Sequence, residues 1–350
     1  MAIKINWNDL QKRFIGGTEI LRVYKSGYQV RPDVVPPTPT PVSLCFTANT
    51  SNSTISFNYS TSGNSRYFEY STDWTTWSDY TIAHIWWAWT TLTLSNVWDK
   101  VYFRSKSDSV TSLSGVTWLY KFTMTWSIAA SWDVTSLLCK TGATTLSNYC
   151  FYRLFDWCTA LTSAPSLTAT TLGENCYREM FRNCTNLVTP PSTLTSTTAP
   201  YGCCYGMFYG CSSMTSAPTL PATTLWVVCY NSMFYGCTSL VYPPALPATT
   251  LATQCYLDMF YGCTSLITIA ALPATTLANY CYGVMYGNCS RIKVSETQSI
   301  IYRYEFRIPT TWTGTSATWA MDYMFSNTWG SFTWTPTINT TYYTMNPIIS

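Results

Sequence analysis

Fifteen cysteines and a single histidine, His84, set the chemistry open to this 350-residue chain. Twelve of the cysteines form six pairs eight residues apart, Cys150/Cys158, Cys176/Cys184, Cys203/Cys211, Cys229/Cys237, Cys255/Cys263 and Cys281/Cys289. Thiols can cross-link, bind zinc or act as nucleophiles. Zinc is disfavoured, because there is no Cys-x-x-Cys and only one histidine to complete a ligand set. GxSxG, HExxH, a P-loop and a glycine-rich dinucleotide loop are all missing. Asp73, Asp79 and Asp99 could pair for glycoside hydrolysis or ligate calcium. They lie at expected turns, where Asp more often bonds its own backbone. The expectation is therefore no catalytic residue, no metal ligand and no cofactor.

The pairs sit in a repeat. The pattern is Cys, aromatic, two variable residues, Met-Phe, two variable residues, Cys. It starts at Cys150, Cys176, Cys203, Cys229, Cys255 and Cys281, a period of 26 residues with one interval of 27. Between copies a second phrase recurs, as in Leu220-Pro221-Ala222-Thr223-Thr224-Leu225. A fixed period in this range implies a solenoid whose coils bury their apolar faces against one another.

A short helix is expected from the first to the second cysteine of each copy. On a helix, residues eight apart lie ~12 Å apart along the axis, beyond the ~7 Å Cα reach of a disulfide. Free, buried thiols are expected. At ~100° per residue, the cysteines, Met and the two aromatics share one face, which makes that face core. The residue after Phe points to solvent: Asp156, Arg182, Tyr209, Tyr235 and Tyr261. Arg182, Tyr209, Tyr235 and Tyr261 are the candidate ligand contacts, an exposed ladder able to meet sugar rings or a protein.

Apolar content is 47%, charged content 10% and net charge +3. With no basic block, nucleic acid is not an expected partner. No run of 18 apolar residues is present, so no membrane insertion is expected. The start of the chain has no apolar h-region of a secretory signal. The fold class expected is mostly β with short helices, in five parts. Residues 1–32 read as a small module, with Asn8-Asp9 capping a short helix through Gln11–Phe14 and a hairpin about Ser26-Gly27. Its Phe14, Ile20, Val23, Tyr24 and Val30 are the candidate anchoring residues. Residues 33–42 are a proline-rich linker. Residues 43–125 alternate at period two, as in an antiparallel, immunoglobulin-like β-sandwich. Residues 126–295 are the solenoid. Residues 296–350 are a cap with a degenerate echo, Tyr323-Met324-Phe325.

Met-Phe-Tyr-Gly-Cys-Thr-Ser-Leu (233–240 and 259–266) and Leu-Pro-Ala-Thr-Thr-Leu resemble the BspA-like leucine-rich repeats, with Gly210-Cys211, Gly236-Cys237 and Gly262-Cys263 matching directly. The resemblance covers about residues 133–295. It implies a non-enzymatic adhesive solenoid, found in gut Bacteroidales and their tailed phages. The opening module resembles N-terminal segments of virion proteins of crAss-like phages. With no secretion signal, the resemblance implies a virion fibre or spike. Its N-terminal module would dock on capsid or tail proteins, and its solenoid would touch host-surface glycan or protein. A homo-oligomer is expected, with a trimer as one form. The alternatives are a bacterial cell-surface adhesin and a decorative capsid protein without a ligand.

Sixteen tryptophans are several times the usual abundance. Many stand where glycine would be natural. Trp157 precedes Cys158 at the place of Gly210, Gly236 and Gly262, and Trp226 aligns with Gly173. Trp74 and Trp98 fall in expected turns. A reassigned codon would account for them. No binding site is placed on tryptophan for this reason.

Overall fold

The computed structural model describes residues 12–15, 18–21, 24–25, 28–29, 43–59, 68–80, 90–106, 113, 120–274, 276–295, 297, 305–307, 319–329 and 342–345. The chain divides into two compact units, Met1–Pro41 and Val42–Ser350.

In the first unit β1 (Lys12–Ile15) pairs antiparallel with β2 (Thr18–Leu21), and β3 (Tyr24–Lys25) with β4 (Tyr28–Gln29). The helix expected through Phe14 is replaced by strand from Lys12 on. Ile15 pairs with Thr18, and Gly16-Gly17 between them in the sequence is a dipeptide that two-residue hairpins favour. The strands expected on either side of Ser26-Gly27 pair, Lys25 with Tyr28 and Tyr24 with Gln29, while Ser26 and Gly27 themselves lie outside the described residues. Phe14 lies in β1, Ile20 in β2 and Tyr24 in β3. Val23, Val30 and the proline linker lie outside the described residues.

The second unit is mostly strand and turn. Among its described residues the one helical element is a single 3-10 turn, Val134–Leu137, capped by the Asp133 carboxylate on the Thr135 amide. Its strands are β5 (Leu44–Ala48), β6 (Ser53–Tyr59), β7 (Phe68–Ser71), β8 (Ser78–Tyr80), β9 (Leu92–Leu94), β10 (Lys100–Ser105), β11 (Tyr120–Met124), β12 (Ile128–Trp132) and β13 (Leu161–Ser163). One sheet runs β13-β12-β5-β10-β7-β8 and the other β11-β6-β9. The period-two alternation aims Phe46 and Phe103 from one sheet at Phe57 and Phe122 from the other. Phe57 and Phe122 stack at 4.3 Å, and Phe46 lies 4.9 Å from Phe122.

The sequence gives no hint that this sheet continues past residue 125. β12 pairs antiparallel with β5 and parallel with β13, a strand of the first repeat. Phe122 also stacks on Phe155 at 5.3 Å. The core under the two sheets and the core of the repeats are therefore one body of buried side chains.

Successive repeats lie side by side in parallel register. β14 (Thr198–Ala199) pairs with β15 (Thr224–Leu225), and bridges join Thr145 to Thr171, Ser163 to Thr189, Thr193 to Thr219 and Thr250 to Thr276. Ring on ring, Phe155, Phe181, Phe208, Phe234, Phe260, Tyr286 and Phe325 stack at 5.3–5.7 Å and within 11° of parallel. Phe325 belongs to the degenerate echo, which supplies the last rung. On either side of it in the chain, β16 (Ile292–Ser295), β17 (Glu305–Arg307) and β18 (Tyr342–Met345) form an antiparallel sheet in the order β16-β18-β17.

The helix expected between paired cysteines does not form. Each arc is a run of tight turns with a left-handed residue at every fourth position, as at Asn175, Glu179 and Asn183 (φ 53–57°). Its amides divide their work. Arg178, Met180, Arg182 and Cys184 donate to the carbonyl three residues back, whereas Asn175, Tyr177, Glu179, Phe181 and Asn183 donate to the next repeat. A helix satisfies its own amides and leaves neighbouring coils joined by side chains alone. This arrangement uses about half of them to join coils, and the amides from Tyr177 to Cys184 that would stay inside a helix instead find carbonyls both within the arc and in the next repeat. Asn and Gly at many of the left-handed positions lower its conformational cost.

The core face was nevertheless identified correctly, since Cys176, Tyr177, Met180, Phe181 and Cys184 are all buried.

Candidate functional site: one flank of the repeat stack

All fifteen cysteines are free, and all but Cys139 are buried. The second cysteine of each repeat has a defined hydrogen bond. Cys184, Cys211, Cys237, Cys263 and Cys289 each donate from Sγ to the carbonyl of the Phe in the preceding repeat, at 3.0–3.1 Å. Cys158 donates likewise to Phe122 at 2.9 Å. Burial pushes these thiols up, Cys158 and Cys289 to about 12. A thiol held protonated is a poor nucleophile and a poor metal ligand. Among the described residues no cluster of three His, Cys, Asp or Glu side chains could hold a metal ion. The aspartates weighed above serve turns and a pair. Asp73 accepts from the Thr75 and Thr76 amides, Asp99 accepts from the Asn96 amide, and Asp79 pairs with Lys106. His84 lies outside the described residues.

The second aromatic column holds a flaw that is directly testable. Phe151 stacks on Tyr177, and Tyr230, Tyr256 and Tyr282 stack in turn, but Cys204 interrupts them. The Tyr177 hydroxyl is buried without a hydrogen-bond partner among the described residues. An unpaired buried hydroxyl costs about 1–3 kcal/mol. Tyr177→Phe should therefore raise stability by about 1 kcal/mol, read as a higher denaturant midpoint at unchanged m-value.

The candidate contact residues occupy one equivalent position along the stack, in the order Asp156, Arg182, Tyr209, Tyr235 and Tyr261. Two features differ from the expected solvent-facing ladder. Asp156 is buried, because Arg182 pairs with it through two bonds of 2.8 and 3.1 Å. The three tyrosines are half-buried and stack on one another at 4.6 and 4.7 Å. The outer face of Tyr261 rests on Gly287, where a Cβ would lie 2.7 Å from the ring. The faces between neighbouring rings are occupied, so ring edges and hydroxyls are what the column can offer.

At its Arg182 end the column joins a charged network that sequence reading missed. Glu179 meets Arg153, Arg178 and Arg182, and Asp156 meets Arg182 and Lys121. Both carboxylates are 8% exposed and the three guanidiniums 27–31%. Four cations thus surround two carboxylates, leaving positive charge at the surface. Arg178 also lies 4.3 Å from the Tyr205 ring centre. The available signal was that Arg153/Glu179 and Asp156/Arg182 are each separated by the repeat period, which places opposite charges side by side. Farther along, Asp258 is pushed up to about 6 by burial.

No family model, curated protein or solved structure matches the chain. The site must be read from its own geometry.

Proposed function

We propose that the chain is a non-enzymatic virion structural protein that displays a repeat solenoid for attachment to the host surface. In this reading residues 126–295 are a BspA-like leucine-rich-repeat solenoid and residues 43–125 an immunoglobulin-like sandwich. The first unit docks on capsid or tail proteins. The observation that carries the attachment role is the flank column. Arg182, Tyr209, Tyr235 and Tyr261 repeat one position in register, beside a network with more cations than carboxylates. Such a strip presents several weak contacts at a fixed spacing, and linked weak contacts multiply into useful avidity. Tyr and Arg are also the side chains most often responsible for binding energy at interfaces. A host glycan bearing carboxylate or sulfate groups fits the positive end, with its hydroxyls along the tyrosine edges.

The test is adsorption of the full chain to host envelopes and to immobilised acidic and neutral glycans. Replacing Tyr209, Tyr235 and Tyr261 by alanine should weaken binding at least tenfold, and raised salt should weaken it further. Unchanged adsorption in a folded variant would remove the attachment role. Quantitation of the chain in purified virions, against host envelope fractions, tests the virion assignment separately.

A further inference from the structure

Nine tryptophans lie among the described residues, and six of them, Trp74, Trp98, Trp126, Trp132, Trp157 and Trp319, have φ between 60° and 75°. That left-handed region is natural for glycine, tolerable for asparagine and costly for a bulky side chain. Other residue types do adopt it here. Inside the repeat arcs, Tyr149, Val228, Gln254 and Tyr280 share a left-handed position with Trp319, so Trp319 is unexceptional.

The remaining five are different. Outside the repeat arcs, the described left-handed residues are Asn52, Gly142, Trp74, Trp98, Trp126 and Trp132. One asparagine and one glycine are what such turns ordinarily take, and four tryptophans are not. Inside the arcs, Trp157 shares its position with Asn183, Gly210, Gly236, Gly262, Asn288 and Asn327, all left-handed. The backbone there is the same in detail. The carbonyls of Trp157, Gly210, Gly236 and Gly262 each accept from the amide two residues on, at 2.9 Å.

The side chains gain little that would offset the strain. Trp98 is 73% exposed, Trp126 71% and Trp157 60%. Trp74 and Trp132 do touch each other and Tyr102, Trp74 also meets Trp77 at 5.7 Å and Trp132 is half-buried, yet Trp74 remains 37% exposed. Trp77 supplies the contrast. Its φ is not positive, and its ring lies under the Arg104 guanidinium at 3.6 Å. Trp226 and Trp329 also have no positive φ, so alignment with a glycine is not enough to put Trp226 in this class.

We infer that the native polypeptide carries glycine at positions 74, 98, 126, 132 and 157, through a codon that its own translation system reads as glycine, and tryptophan at 77. Glycine removes the steric cost at all five positions. It also clears the exposed rings at 98, 126 and 157, which otherwise imitate sugar-binding platforms.

Peptide mass spectrometry of the chain from its native source decides the matter. Glycine at the five positions, with tryptophan at 77, is the expected result. Any other residue at those five positions overturns it. A recombinant comparison gives a second readout. The chain with all five replaced by glycine should melt roughly 10 °C or more above the tryptophan chain, or fold where that chain aggregates. Equal or lower melting of the glycine chain counts against it.

Discussion

The protein should unfold sharply as pH rises through 9 to 11. The cause is the thiol column. Cys158, Cys184, Cys211, Cys237, Cys263 and Cys289 are buried against carbonyls and held protonated well above the ordinary thiol value of 9.0. In the unfolded chain the same thiols ionise near that ordinary value. Their folded pKa values are raised, so their contribution is complete below pH 9 and is withdrawn as pH climbs towards the folded values. Each thiol ionised only in the unfolded state shifts the balance by about 1.4 kcal/mol per pH unit. Six together withdraw about 8 kcal/mol per unit, comparable with the entire stability of an ordinary domain. The buried tyrosines Tyr177, Tyr230 and Tyr282, also pushed up by burial, steepen the fall. Far-UV circular dichroism across this range, with a thiol reagent added at each pH, checks it. Thiol reactivity should appear together with unfolding. A chain that keeps its fold while its thiols titrate one by one below pH 10 would show that they are not sealed in the core.

The repeat and its core residues were legible in the sequence, because a strict period fixes which residues become neighbours; the thiols are free as expected, but the helix from which that was argued does not form. The local conformation was not. Buried positions in one arc fall at 176, 177, 180, 181 and 184, a spacing of four that a 3.6-residue helix nearly matches over so short a span. The four-residue period belongs instead to the left-handed residues 175, 179 and 183. Asn at 175 and 183 and Gly at 202, 206 and 210 were the available warning, since such runs disfavour helix. The flank was legible as a position but not as a surface. Whether a tyrosine shows its face or its edge depends on the distance to the next coil, and sequence does not state that distance. The fusion of the two cores through Phe122 and Phe155 was hidden for the same reason. The period-two pattern ends at residue 124, and nothing in it says what the last inward ring will touch.

Removing the Phe208 ring should be the most damaging single change in the stack. Phe208 is fully buried and lies between Phe181 at 5.5 Å and Phe234 at 5.7 Å. Phe208→Ala leaves a cavity worth about 3–5 kcal/mol and deletes two stacked pairs, each about 0.5–1.5 kcal/mol. Relaxation is restricted, because the backbone on both sides is pinned. The Phe208 amide donates to the Met233 carbonyl, the Phe181 amide donates to that of Met207, and the Phe208 carbonyl accepts the Cys237 thiol. The coils cannot close the gap without breaking these bonds. A melting temperature lower by roughly 10 °C or more is expected, with hydrogen exchange accelerated first at the amides of residues 204–210. Phe325→Ala, in the rung supplied by the degenerate echo, should cost less, since that ring stacks on Tyr286 at one end of the repeat stack rather than between two full repeats. The comparison matters more than either number. If each coil is held mainly by its neighbours, damage at the centre uncouples two halves, while damage at the end frays one coil. Equal losses at both positions would mean that stability is not transmitted along the stack.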